Sequence, residues 1–432
     1  MNQSALSAVA NSVRSLTIDA IEKSKSGHPG LPLGCAELGA YLYGEVLRHW
    51  PQDPKWINRD RFVLSAGHGC MLLYSLLHLS GYDLGIEDIK SFRQLGSRTP
   101  GHPEFGVTPG VEVTSGPLGQ GIGNGVGIAI AERMLAARFN TPTHAVIDHY
   151  TYVLCGDGDM MEGVASEAAS LAGHLGLGKL IVFYDSNQIT IEGSTSLAFS
   201  EDVLKRFEGY GWQTLDGNMY DFDALARLVA EAQKVTDRPT IIRLRSTIGK
   251  SAPTKAGTAK IHGEPLGAEE AAAAKKTIGV PDGSQFYVFP EAQAYFKEKQ
   301  PSWKSRYEEW KKLFNAWKSA NPDKAREWDA CFNGGFDVGA ASFPAFKQGD
   351  SLATRAASGQ VLNAIAKALP SLVGGSADLA PSNNTNLKEM GDFSKTNALG
   401  RNFHFGIREH GMAAVCNGMA YHGGLRPFCA TF

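Results

Sequence analysis

Residues 149–163 read HYTYVLCGDGDMMEG. An apolar run ends there in alternating glycine and acid: Gly156, Asp157, Gly158, Asp159. A helical pattern follows, EGVASEAASLAGHL at 162–175, and then a second apolar run, KLIVFYD at 179–185. Strand, helix and strand at this spacing make a β-α-β unit with parallel strands. Parallel sheets carry helices on both faces and bind ligands at the carboxyl ends of their strands. An acidic glycine turn is most often only a turn, so a partner is needed. Asn187 ends the next strand, 28 residues intervening after Gly158. Adjacent parallel strands set their ends side by side, so Asp157 and Asn187 face one site. A carboxylate, an amide oxygen and a loop carbonyl are hard ligands that suit Mg²⁺ or Ca²⁺ together with phosphate oxygens. Gly158 lets the backbone approach a diphosphate, and the helix starting near Glu162 turns its amides toward the same anion.

The same alternation extends outward. Apolar positions at helical spacing mark 4–24, and RFVLSAG (61–67) reads as a strand. GQGIGNGVGIAIAERMLAARF (119–139) reads as a helix entered through glycines, where glycine means a tight turn or close approach of the backbone to a ligand. DFDALARLVAEAQKV (221–235) is a helix and PTIIRLRST (239–247) a strand. We expect an α/β fold of parallel sheets flanked by helices, with a first domain at 1–285. Residues 286–350 read as a connecting region: a charged, Trp-rich helical stretch at 301–329, then the irregular 333–351. A second α/β pattern occupies 351–432, with strands at 371–376, 402–407 and 425–432 and a helix at 408–424. Fewer than ninety residues cannot cover both faces of a sheet, so an incomplete second domain, from a longer chain, is expected.

Composition narrows the class. The formal net charge is −2 with no block of like charge, which argues against nucleic acid or a membrane surface as the partner. No run of eighteen apolar residues is present, and the first thirty residues, with no basic segment before an apolar core, lead us to expect no secretory leader. The six cysteines form no C-x-x-C pair and read as buried free thiols of a reducing, cytoplasmic compartment.

Several further motifs stand in order: KSGHPG (25–30), DRFVLSAGHG (60–69), FRQLGSRTPGHPE (92–104), TSGPLGQGIGNGVG (114–127), DSNQITIEG (185–193), IHGEPLG (261–267), GGSADLAPSN (374–383) and GIREHGMAAVCNGMAYHGG (406–424). With the Gly-Asp-Gly and Asn pair, this order resembles the transketolase family over essentially the whole chain. The resemblance implies a thiamine diphosphate-binding fold, a pyrophosphate domain followed by a truncated pyrimidine domain. It implies reversible transfer of a two-carbon ketol unit from a ketose phosphate to an aldose phosphate, through a carbanion-enamine on thiamine diphosphate. That reaction belongs to the non-oxidative pentose phosphate pathway. Whether the acceptor is an aldose phosphate or formaldehyde stays open at this point. A homodimer with active sites at the subunit interface is also implied.

The resemblance assigns roles by position. Asp157, Asn187 and the carbonyl of Ile189 would hold Mg²⁺ or Ca²⁺. Gly116, Pro117, Leu118 and Gly158 would cradle the cofactor, with Asp378 near its ring side and Phe432 stacked on its aminopyrimidine. Glu409 would hydrogen-bond the pyrimidine ring nitrogen, and burial should raise its pKa. Glu162 would link the two active sites of a dimer. His28 and His262 would contact substrate hydroxyls and move protons, with His262 also at the cofactor. His68 and His102 would touch the diphosphate and the reacting hydroxyl. Arg355 and Ser382 would anchor a sugar phosphate. Asp159 has no assigned role and reads as a turn or helix-start residue. Lys250, in IGKSAP, departs from the glycine-aromatic loop usual for the family.

Overall fold

The computed structural model describes every residue except 335, 336, 338 and 340. Part of the expected irregular stretch at 333–351 therefore lies outside the described residues. The first sheet has five strands: β1 (Arg61–Leu64), β2 (Thr151–Gly156), β3 (Leu180–Ser186), β4 (Gln213–Asn218) and β5 (Thr240–Arg245). All are parallel, in the order β1-β2-β3-β5-β4. Gly156 lies opposite Asp185, so Asp157 and Asn187 leave the ends of neighbouring strands, as the spacing predicts. β4 was not anticipated. Its sequence, QTLDGN, carries turn residues and sits half-exposed at the sheet edge.

The helices that position the site are α1 (Gln3–Ser24), α2 (Cys70–Ser80), α3 (Gln120–Phe139), α4 (Asp157–Met161), α5 (Gly163–Leu175) and α6 (Phe222–Lys234). Strand side chains alternate between the two faces. Tyr152, Leu154 and Phe183 enter a core shared with α1, α2 and α6, while Val153, Cys155 and Val182 enter one shared with α3 and α5. Each such side chain contributes about 1.5–3 kcal/mol when fully buried. β1, β2 and β3 are buried on both faces, and their carboxyl ends are left for function.

A long helix, α7 (Pro290–Ala320), and α8 (Pro322–Phe332) follow. Their aromatics are packing groups. Tyr295, Phe296 and Trp303 complete the first core; Trp317 and Trp328 join the second, where the Trp317 indole donates to the Phe139 carbonyl at 2.8 Å. After α9 (Thr354–Ala368), a second parallel sheet forms from β6 (Leu372–Ser376), β7 (Asn402–His404) and β8 (Arg426–Ala430), in the order β7-β6-β8.

Helix α10 (Glu409–His422) joins the two units by crossing α3. A Cβ on Gly127 would lie 2.0 Å from the Val415 carbonyl, and one on Gly418 would lie 2.0 Å from the Asn124 carbonyl. Glycine there is required by close helix approach. The glycines of 123–127, read as marking a tight turn or a ligand, pack against Ala414, Val153 and Val415. Five of the six cysteines are buried free thiols as expected, whereas Cys429, on β8, is exposed. Among the described residues, no helix is long and apolar enough to cross a membrane.

Candidate active site

The end of β2 delivers Asp157. Its carboxylate is buried and accepts from the Tyr184 hydroxyl at 2.5 Å and the Gln188 N–H at 2.9 Å. No cationic side chain pairs with it among the described residues, and burial pushes its pKa up. A buried carboxylate without a counter-charge fits a hard cation. Asn187 is held by its neighbours: its amide donates to Asp185 at 2.9 Å, and its oxygen accepts the Ile189 N–H at 3.0 Å, leaving one lone pair free. The loop 188–195 is closed by bonds from Thr195 to the Gln188 carbonyl and from Thr190 to the Gly193 carbonyl. The Ile189 carbonyl between them accepts no hydrogen bond among the described residues. A Cβ on Gly156 would meet nothing within 4 Å, so there is open space beside Asp157. The three predicted ligands thus fit a divalent ion and a diphosphate. Asp185, absent from the sequence reading, is buried behind Asn187, accepts the Ser246 hydroxyl, and is pushed up to about 6 by burial.

The loop 114–119 is clamped onto these strand ends. A Cβ on Gly67 would lie 2.5 Å from the Ser115 carbonyl, and one on Gly121 2.4 Å from the Ser65 Cα. Asp159, read as a turn or helix-start residue, does lie in the first turn of the short α4, and it is fully buried. It accepts from the Ser65 hydroxyl at 2.6 Å and from the N–H groups of Gly119 and Gly156 at 2.8 and 2.9 Å. One carboxylate therefore ties together β1, β2 and the loop. The signal pointing to it is its place beside Asp157, at the end of a buried strand. Leu118 closes over Gly158, where a Cβ would lie 2.8 Å from Leu118 Cδ1, and a Cβ on Gly116 would lie 3.8 Å from the His102 ring.

Four separate segments bring His28, His68, His102 and His262 together. Ring centroids lie 5.2 Å apart for His28–His68, 6.2 Å for His28–His102, 5.7 Å for His28–His262 and 5.0 Å for His68–His262. All four are half-buried. Burial and mutual repulsion hold them neutral: His28 is lowered to about 4 by burial first, then by Arg93 and its neighbours, and His68 falls well below 6.5. His102 is lowered by burial and Arg93, His262 by burial. Through Gly116 and Leu118 this cluster abuts the Asp157 corner. Lys250 is drawn away from both, onto Glu37 at 2.8 Å and over the Tyr220 ring at 3.4 Å.

The remaining candidates are not assembled with this site. Glu409, Glu162, Asp378, Arg355, Ser382 and Phe432 are all exposed, and Phe432 is 77% accessible. None of their side chains makes a hydrogen bond or ion pair among the described residues. Glu409 is therefore not buried within one chain, contrary to expectation. It lies on the outer rim of α10, beside His410, which contacts Gln120 at 2.6 Å. Glu162 caps the start of α5. Asp378, with φ of 60°, lines a cavity of about 1160 Å³ between the units, together with His174, Tyr210, His404 and Arg408. That cavity contains neither the histidines nor Asp157.

The fold is that of the thiamine diphosphate-binding α/β proteins. The family model described as "Transketolase, thiamine diphosphate binding domain" matches residues 5–336, and "Transketolase, pyrimidine binding domain" matches 350–432. The chain is 56% identical to a transketolase of Treponema pallidum, covering 100% of this chain and 66% of that protein. It is 53% identical to one from Geobacillus stearothermophilus, covering 97% and 63%. Transketolase from Leishmania mexicana superposes with a TM-score of 0.96 at 46% identity, covering 99% of this chain and 64% of that one. A Pichia stipitis transketolase in complex with sedoheptulose-7-phosphate gives 0.95 at 44%, covering 99% and 65%. The chain belongs to the transketolase family, and it spans slightly under two thirds of the length of these relatives.

Proposed function

We propose that this protein is a transferase that moves a two-carbon ketol unit reversibly from a ketose phosphate to an aldose phosphate. It uses thiamine diphosphate and Mg²⁺ or Ca²⁺. The observation that carries this reading is the convergence of four neutral histidines beside a buried carboxylate without a counter-charge. Asp157, Asn187 and the Ile189 carbonyl would hold the ion, and Gly116, Pro117, Leu118 and Gly158 would flank the diphosphate and the body of the cofactor. When bound, thiamine diphosphate supplies the electron sink for carbon–carbon cleavage beside a carbonyl. The histidines bind hydroxyls and move protons, and as neutral imidazoles they do both near pH 7. Arg355 and Ser382 hold a terminal phosphate.

Glu409, Asp378 and Phe432 would complete the cofactor site, and Glu162 would join two such sites. Their exposure supports a homodimer in which a second copy covers them. The domain division at 1–285, 286–350 and 351–432 belongs to this same reading. The free cysteines support a reducing, cytoplasmic compartment. A ketol-transfer assay with and without thiamine diphosphate and Mg²⁺ tests the function. Transfer that needs both supports it; a dimer that binds both and transfers nothing overturns it.

A further inference from the structure

Among the four clustered histidines, only His28 has a ring nitrogen bonded to a protein side chain or backbone among the described residues. The partner is Arg93, which donates to His28 Nδ1 at 3.3 Å. The same terminal nitrogen also donates to the Gly101 carbonyl at 3.3 Å, and the other one donates to the Ser26 hydroxyl at 2.7 Å. The guanidinium is placed deliberately. Arg93 has a left-handed backbone, φ 59°, which is uncommon for a residue with a side chain, and its N–H bonds the Thr99 carbonyl at 3.0 Å. The group lies flat on Gly101, where a Cβ would come within 2.9 Å of Nε. Its buried Nε–H is left without a partner, a cost tolerated to hold this pose.

A guanidinium has donors and no acceptor. The nitrogen it bonds must therefore present a lone pair. With Nδ1 accepting, a neutral His28 carries its proton on Nε2. On that side stands Gly263, where a Cβ would lie 3.1 Å from Nε2; glycine leaves the edge uncovered. We propose that Arg93 is a positioning residue that fixes His28 as the neutral Nε2–H tautomer, so that His28 meets substrate oxygen as a hydrogen-bond donor and not as a base. The inference deepens the function proposed above and rests on it for the substrate. Proton abstraction then falls to His68, His102 or His262, whose ring nitrogens have no protein partner among the described residues. The charged and titratable groups facing His28 are Arg93, His68, His102 and His262, and all of them oppose a second positive charge.

The test is long-range ¹H–¹⁵N NMR of the full chain with ¹⁵N-labelled histidine, His28 being assigned by its loss in His28→Gln. In the unsubstituted chain, Nε2 should appear as the protonated nitrogen and Nδ1 as the lone-pair nitrogen down to acidic pH. Arg93→Met, which keeps the stem and removes donors and charge, should mix the tautomers and raise the titration by about one pH unit. Gly101→Ala keeps the charge but displaces the fork, and should mix the tautomers with a smaller rise. A protonated Nδ1 in the unsubstituted chain overturns the proposal without any variant having to fold; so does an unchanged tautomer and titration in Arg93→Met. These spectra do not depend on turnover. A chain with the expected spectra but no ketol transfer would sink the proposed function and leave the tautomer assignment standing.

Discussion

The first unit holds Asp157, Asn187 and His28 by neighbours of its own, and the second holds its candidates by almost none. Asp157 has Tyr184 and Gln188, Asn187 has Asp185, and His28 has Arg93. Glu409, Arg355, Ser382 and Phe432 stand exposed. One half of the candidate site is preorganised within a chain; the other is a set of groups on a surface. Surface groups of this kind become effective only when something covers them and removes water, and in the proposed dimer that cover is a second copy.

The contrast can be broken most severely at Asp157. Asp157→Ala should weaken metal-dependent thiamine diphosphate binding by about 100-fold or more, measured by calorimetry with and without Mg²⁺. Glu409→Ala should act differently: cofactor affinity changes little while ketol transfer falls by about 10²–10⁴-fold. If both variants behave alike, the two halves are not distinct in kind. Dilution separates them another way. Cofactor affinity should fall as the dimer dissociates, and a monomer that binds the cofactor tightly, seen by sedimentation, contradicts the need for a second copy. Asp159→Ala should cost about 3 kcal/mol in denaturant unfolding, since it strands the Ser65 hydroxyl and two buried N–H groups. The smallest effect is on pH. A His28 lowered to about 4 in the fold but ordinary, 6.5, when unfolded lets the unfolded chain bind the proton first. Stability is then full above pH 6.5 and declines as pH falls toward about 4. His28→Gln should flatten that decline in unfolding curves taken across the window.

The preorganised half was also the more legible. Asp157 and Asn187 are signalled by local order: a strand, a glycine turn and one β-α-β unit. The four histidines show themselves by sitting in glycine or proline turns. Their clustering is tertiary, but the resemblance anticipated it. Asp159 is the helix-start residue it was read as, but its further ties escaped because they come from β1 and the 114–119 loop, up to 94 residues away. Arg93 gave no signal, since its role depends on a left-handed backbone and a glycine surface at 101. β4 escaped because an edge strand need not alternate cleanly or bury itself. The glycines of α3 carried two possible meanings, ligand approach and helix crossing, and composition does not separate them.

The α3–α10 crossing has a consequence for aim. At Gly127 and Gly418 backbone meets backbone, with no side chain to repack and take up error. The joint behaves as a keyed hinge pin with no play. Glu409 lies nine residues before Gly418, about 13 Å along the helix. A tilt of ten degrees at the pin would swing that carboxylate by about 2 Å, beyond the tolerance of a hydrogen bond. A methyl group added to either glycine would misdirect a residue several turns away while touching nothing near it.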